Sequence, residues 1–188
     1  QDLFRYIDEN GNDFDIKAEH INEYLNQKME NKYTAKDFRT WAASWKTGAR
    51  LAMVSEASEK EISELPGLHL EAVEKSKKDG FPPYVEWCGR YLKGTEGLAK
   101  LAESGNLPGE TDKERMATML AVIDTVAADL GNTRAVCRSS YIRPMFMEDW
   151  DERVFLGRWN EAKKGQIRGE NMWPDETAAI NYMKKWEE

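Results

Sequence analysis

The sequence predicts a mainly α protein, and three observations carry that prediction. Apolar residues recur at helical spacing along most of the 188 residues. Residues that start and stop helices flank those stretches. Strand-type runs are nearly absent outside the opening segment. Hydrophobic residues make up 40% of the chain and aromatic residues 11%, with seven Trp, which is ample material for a core and argues against a disordered chain.

The opening DLFRYIDENGNDFD holds one short β-branched and aromatic run, then a turn at Asn10-Gly11-Asn12-Asp13. DENGND gathers acids and amides, but Gly11 comes too early for an EF-hand loop, so it reads as a turn. In DIKAEHINEYLNQKM, Ile16, Ile21, Tyr24, Leu25 and Met29 fall at helical spacings, with Asp13 or Asp15 expected as the cap. Thr34-Ala35-Lys36-Asp37 places a capping Thr before an acid at the third helical position, close to a capping box. The helix it opens passes through Phe38, Trp41, Ala42, Trp45, Ala49 and Ala52 to about Ser58.

Residues 56–109 are charged and punctuated by Pro66-Gly67, Pro82-Pro83 and Pro108-Gly109, so two or three short helices are expected there. A long helix follows from about Thr111 to Leu130, ended by Gly131. A turn at Asn132-Thr133 leads to a short helix holding Val136. Pro144 starts a helix over about 145–158, and Pro174 opens the last, to Trp186. The series Trp41, Trp45, Tyr84, Trp87, Tyr91, Trp150 and Trp159 reads as core rather than as a base-stacking platform.

Several function classes are excluded or weakened early. No stretch of about 18 apolar residues exists to cross a membrane, and no charged-then-apolar leader opens the chain. Gln1 stands first in place of Met, so a preceding segment is expected. Cys88 and Cys137 lack metal-type spacing and, as two lone thiols, fit a reducing cytoplasm. His20 and His69 are too few and too scattered for a histidine metal site, and no metal is expected. The net charge of −7, from 34 acidic and 27 basic residues, counts against a broadly basic nucleic-acid surface. Distribution matters more than the total: from Arg134 to Arg143 there are three arginines, Arg134, Arg138 and Arg143, and no acid.

Two islands carry candidate chemistry. Tyr141 lies between a short helix and Pro144, among those arginines. A phenol titrates near pH ~10, so a nucleophilic Tyr gains from positive charge that favours its phenolate. In TAKDFRTW, Lys36 and Arg39 lie about one helical turn apart and share a face. That face suits a phosphate, Arg39 through its bidentate fork and Lys36 as a point charge. Taken alone, each island is better read as an ordinary packing Tyr or an ordinary solvated helix face.

Together, TAKDFRTW and LGNTRAVCRSSYIRP resemble the two signature segments of the bacterial and poxviral type IB DNA topoisomerases. LFRYIDENGN and IKAEHINEYLNQKM also resemble the segment that precedes the first signature in the bacterial branch. The resemblance is dense in 1–54 and 116–150, weaker in 151–188 and thin in 56–109, which looks like an extended helical insert. It implies the helical catalytic fold shared by type IB topoisomerases and tyrosine recombinases, with 1–188 as the C-terminal catalytic domain. It also implies relaxation of supercoiled duplex DNA by a monomer, through a 3′-phosphotyrosyl single-strand break, with neither ATP nor any other cofactor.

By the same resemblance, Tyr141 is the nucleophile, and Arg39 contacts the non-bridging phosphate oxygens. Asn132 stands where viral and eukaryotic relatives carry histidine and bacterial ones carry asparagine. Lys36, Arg134, Arg138 and Ser140 are expected to contact DNA phosphate, with Thr40 and Ser140 near the reacting group. The family's general-acid lysine and a second arginine, which precede these segments, have no matching motif here. The resemblance therefore places them in an N-terminal part of the same enzyme that this chain lacks. Two alternatives stand beside this reading. A tyrosine recombinase shares the fold, but typically shows HxxR and LGH where this chain has KDFR and LGN. A non-catalytic helical module that binds DNA or protein would account for the net charge, the absent lysine and the insert.

Overall fold

The computed structural model describes residues 5–29, 32–81, 85–167 and 171–186, with all their side chains except those of 85–87. Pro82-Pro83, Tyr84 and the side chain of Trp87 lie outside the described residues. The described residues divide into two compact units, 1–40 and 41–188. As predicted, they are mainly helical. None of these helices is long and apolar enough to cross a membrane.

In the first unit the opening run is a two-stranded antiparallel hairpin, β1 (Arg5–Ile7) with β2 (Asp13–Asp15). The turn forms because Asp8 organises it: its carboxylate accepts from the Asn10 and Asn12 N–H groups at 2.9 and 2.8 Å and from Asn12 Nδ2 at 3.0 Å. Tyr6 and Phe14 stack across the pair with centroids 5.4 Å apart, and Arg5 bridges Asp13 and Asp15. Helix α1 (Ala18–Lys28) follows, and its N-cap is Lys17, not Asp13 or Asp15. Those acids are taken up by β2 and its pairing with Arg5, which leaves them too far upstream to cap. The Thr34 cap is as predicted: Asp37 Oδ2 accepts from the Thr34 N–H at 2.8 Å and from Oγ1 at 2.7 Å. Helix α2 (Ala35–Glu56) starts here and continues into the second unit.

In the second unit, α2 is followed by α3 (Glu59–Lys78), α4 (Val85–Glu103) and α5 (Asp112–Asp129). Then come α6 (Arg134–Ser140), α7 (Pro144–Asp151), α8 (Phe155–Ala162) and α9 (Pro174–Trp186). Helix α5 is buried nearly all round, through Met119, Val122, Ile123, Val126 and the small residues between them. Phe146, Phe155, Trp159 and Tyr182 form an aromatic cluster, all fully buried. Trp150 and Trp159 are core as expected, whereas Trp41, Trp45 and Tyr91 are half-buried.

Two further expectations are corrected. Residues 56–109 form two long helices rather than short ones, and α3 runs through Pro66 without ending. A proline inside a helix costs ~3 kcal/mol; the buried face of Ile62, His69 and Val73, packed on α4, offsets it. The single helix expected over 145–158 is two, because Arg153 adopts φ 65° and the chain turns between α7 and α8. Its guanidinium bonds the Glu110 carbonyl at 2.6 Å, which holds this left-handed residue in place.

Candidate active site

The turn that carries Asn132 is built by the end of α5. Gly131, at φ 68°, supplies the left-handed step that closes a helix, and the Asn132 N–H then bonds the Ala127 carbonyl at 2.8 Å. Thr133 caps α6 by accepting from the Val136 N–H. Asn132 and Tyr141 therefore stand at opposite ends of the seven-residue α6. The Asn132 carbonyl accepts a hydrogen bond from Arg90 Nη1 of α4 at 3.1 Å.

Tyr141 is the C-cap of α6, half-exposed and resting partly on the core, and its N–H bonds the Cys137 carbonyl at 3.1 Å. Its backbone is held from outside α6 as well. Ser44 of α2, only 1% exposed, donates through Oγ to the Tyr141 carbonyl at 3.3 Å and accepts from the Arg143 N–H at 3.0 Å. One hydroxyl thus grips the chain at the Tyr141 carbonyl and again at the Arg143 N–H, on either side of Ile142. Sequence reasoning missed Ser44, since nothing in FRTWAAS marks a serine whose partners lie 97 and 99 residues away.

The remaining candidates divide into those with a partner and those at the surface. Arg134 forms a bidentate pair with Asp124 of α5, Nε to Oδ1 at 2.6 Å and Nη2 to Oδ2, which raises the arginine's pKa. The stretch free of acids in sequence is thus answered by an acid in space. Arg138 is exposed and lines the same cleft as Asn132 and Arg134, about 610 Å³ in volume. Ser140 is exposed, its hydroxyl 3.3 Å from that of Ser139. Arg143 caps α7.

Lys36, Arg39 and Thr40 belong to the first unit, on the opening turns of α2, with Lys36 exposed and the other two half-buried. The Thr34 hydroxyl and N–H hold the Asp37 carboxyl below its usual pKa, so the acid between them is committed to the cap.

Behind the Asn132 turn, Asp129 anchors α5 to α2 by pairing with Lys46 at 2.7 Å and Arg50 at 2.5 Å. Burial pushes the Asp129 carboxyl up, but the Arg50 guanidinium and Lys46 ammonium more than offset this, and its pKa is lowered. Arg50 also bonds Thr125 and lies over the Tyr91 ring.

The family model of the eukaryotic DNA topoisomerase I catalytic core matches residues 1–156. The chain belongs to that family. It is a type I topoisomerase, and its substrate is DNA. The matched span contains both signature segments, Tyr141 and Asn132 as well as Lys36 and Arg39. No curated protein and no solved structure matches the chain. Within the topoisomerase family, α3 and α4 remain the part of the chain for which the signature motifs assign no task.

Proposed function

We propose that this topoisomerase chain cleaves and rejoins one strand of duplex DNA through a phosphotyrosyl bond on Tyr141, relaxing supercoils as a monomer without ATP or metal. The Tyr141 phenol oxygen attacks the scissile phosphorus, the phenol proton is lost, and the bond to the 5′-oxygen breaks. That oxygen takes up a proton as it leaves, and religation reverses each step. The phosphotyrosine conserves the energy of the broken bond, so rejoining needs no nucleotide.

Charge develops on the non-bridging oxygens in the transition state, and donors aimed at them are the protein's main lever. Arg39 and the Asn132 amide are assigned that role, with Lys36, Arg134, Arg138 and Ser140 on neighbouring phosphates. Arg134 would act through the face of its guanidinium not engaged by Asp124. Asn132, rather than histidine, favours the bacterial branch and work at the nucleoid. General-acid catalysis of ~10²–10⁴-fold is assigned to a lysine on an N-terminal part of the same enzyme, in line with the family pattern.

The observation that carries this reading is the single match over 1–156, which takes in both signature segments in order. It is tested by denaturing the intact enzyme on supercoiled plasmid in chelator without ATP. A covalent protein–DNA adduct, joined at a 3′ end and absent in Tyr141→Phe, is expected. An adduct that persists in Tyr141→Phe refutes the assignment.

A further inference from the structure

The cleft beside Asn132 is built from two sources, and only one of them is the signature segment. Helix α6 contributes Arg134 and Arg138, whereas α4, from the insert, contributes Arg90 and Lys93. Among the described residues, four cationic side chains therefore line the cavity, and the carboxylate beside them is Asp124. Both oxygens of that carboxylate are engaged by Arg134. Lys93 and Arg138 are exposed and make no ion pair among the described residues. In a chain of net charge −7, this concentration of positive charge is a local exception.

Helix α4 is also held firmly where it presents Lys93. A Cβ on Gly94 would stand 2.6 Å from Thr125 Cγ2 and 3.0 Å from the Thr125 backbone nitrogen, so α4 presses on α5 at the residue next to Lys93. Thr95, Leu98, Ala99 and Ala102 are buried along the same helix. One turn earlier, Arg90 ties α4 to the Asn132 carbonyl. Lys93 thus projects from a rigid element fastened to the turn that carries a candidate catalytic residue.

We infer that α4 extends the DNA-binding surface: Lys93, with Arg138 on the same cleft, holds a backbone phosphate of the duplex other than the one attacked by Tyr141. The insert is then a second phosphate contact fixed to the active-site turn. The inference rests on the reading that Tyr141 works on duplex DNA at this face. A lysine on phosphate reads charge and not sequence, so its signature is salt dependence rather than base preference.

The test measures binding of a short duplex across salt concentrations by the intact enzyme carrying Tyr141→Phe, which separates binding from chemistry. Lys93→Gln is expected to weaken binding several-fold and to lower the slope of log affinity against log salt by about one. Lys93→Glu should weaken it further, and Lys93→Arg should restore it. Lys184→Glu, an equal charge change on α9 outside the cleft, should leave the slope as it was. An unchanged affinity and slope in Lys93→Gln and Lys93→Glu overturns the inference. So does equal weakening by Lys184→Glu, which would reduce the effect to net charge. The Tyr141 reading fails separately, if the enzyme forms no adduct; an adduct with an unaltered Lys93 salt slope sinks this inference alone.

Discussion

The segment around Tyr141 and the segment around Lys36 and Arg39 are kept in shape by different means. Residues 129–144 are tied to distant parts of the second unit: Ser44 grips the backbone at the Tyr141 carbonyl and the Arg143 N–H, Cys137 and Ile142 are buried, and Asp129 pairs with two cations of α2. In the first unit none of the described residues is buried, and local bonds do the holding, Asp8 in the turn and Asp37 at the start of α2. The proposed nucleophile is therefore positioned by packing and long-range hydrogen bonds, whereas the proposed phosphate arginine stands on the opening turns of α2, beside the local Thr34–Asp37 bonds. Damage to the first kind of support should spread into global stability, and damage to the second should stay local.

Five substitutions test this contrast. Arg39→Ala should lower the cleavage rate ~10²–10³-fold, as loss of an oxyanion donor does, with the melting temperature nearly unchanged; single-turnover cleavage beside calorimetry checks both. If Arg39→Ala instead melts the protein, the first segment is not locally supported. Asp129→Asn should destabilise by ~3 kcal/mol, since it strands Lys46 and Arg50 in a largely buried place. Its sign with pH follows from the lowered carboxyl. Asp129 contributes stability that is complete above the unfolded-state pKa of ~3.9. That contribution is lost as pH falls through the lower folded value. Denaturant melts of wild type and Asp129→Asn should therefore converge on acidification below about pH 4.

Ser44→Ala removes one donor and one acceptor and should cost ~1–3 kcal/mol. It should also slow cleavage, because the Tyr141 backbone loses its outer grip; an unchanged rate would show that α6 alone positions the tyrosine. Thr34→Ala should cost only ~1 kcal/mol, the usual worth of a helix cap, seen as fraying of early α2 by amide exchange. Asn132→His should change the shape of the pH–rate profile more than its height. An amide donates without titrating, so the asparagine enzyme should show the flatter acid limb, and identical profiles would refute that.

The legibility of the sequence follows the same division between local and distant causes. The Thr34 cap, the Gly131 stop, the Asn132-Thr133 turn and the helices starting at Pro144 and Pro174 are all written within a few residues, and each is present. The passage of α3 through Pro66 is not, because the packing that outweighs the proline comes from α4. The left-handed Arg153 that divides α7 from α8 is equally silent, being held by a carbonyl 43 residues away. The resemblance of the two signature segments, and not residue types or spacing alone, is what points to Tyr141, Asn132 and Arg39. Ser44 and Arg90 act through backbone atoms of other segments, and a hydrogen bond to a carbonyl leaves no trace in the identity of the residue that owns it.

Helix α6 has one further consequence. With Asn132 just before it and Tyr141 as its cap, its seven residues work as a ruler and a gear at once. Each residue inserted or deleted would shift one end ~1.5 Å along the axis and turn it ~100° about it. A substitution on its exposed side leaves that gearing alone, but a single-residue change in length would turn the phenol about the helix axis relative to the amide. Between these two positions the chain should tolerate many spellings and only one length.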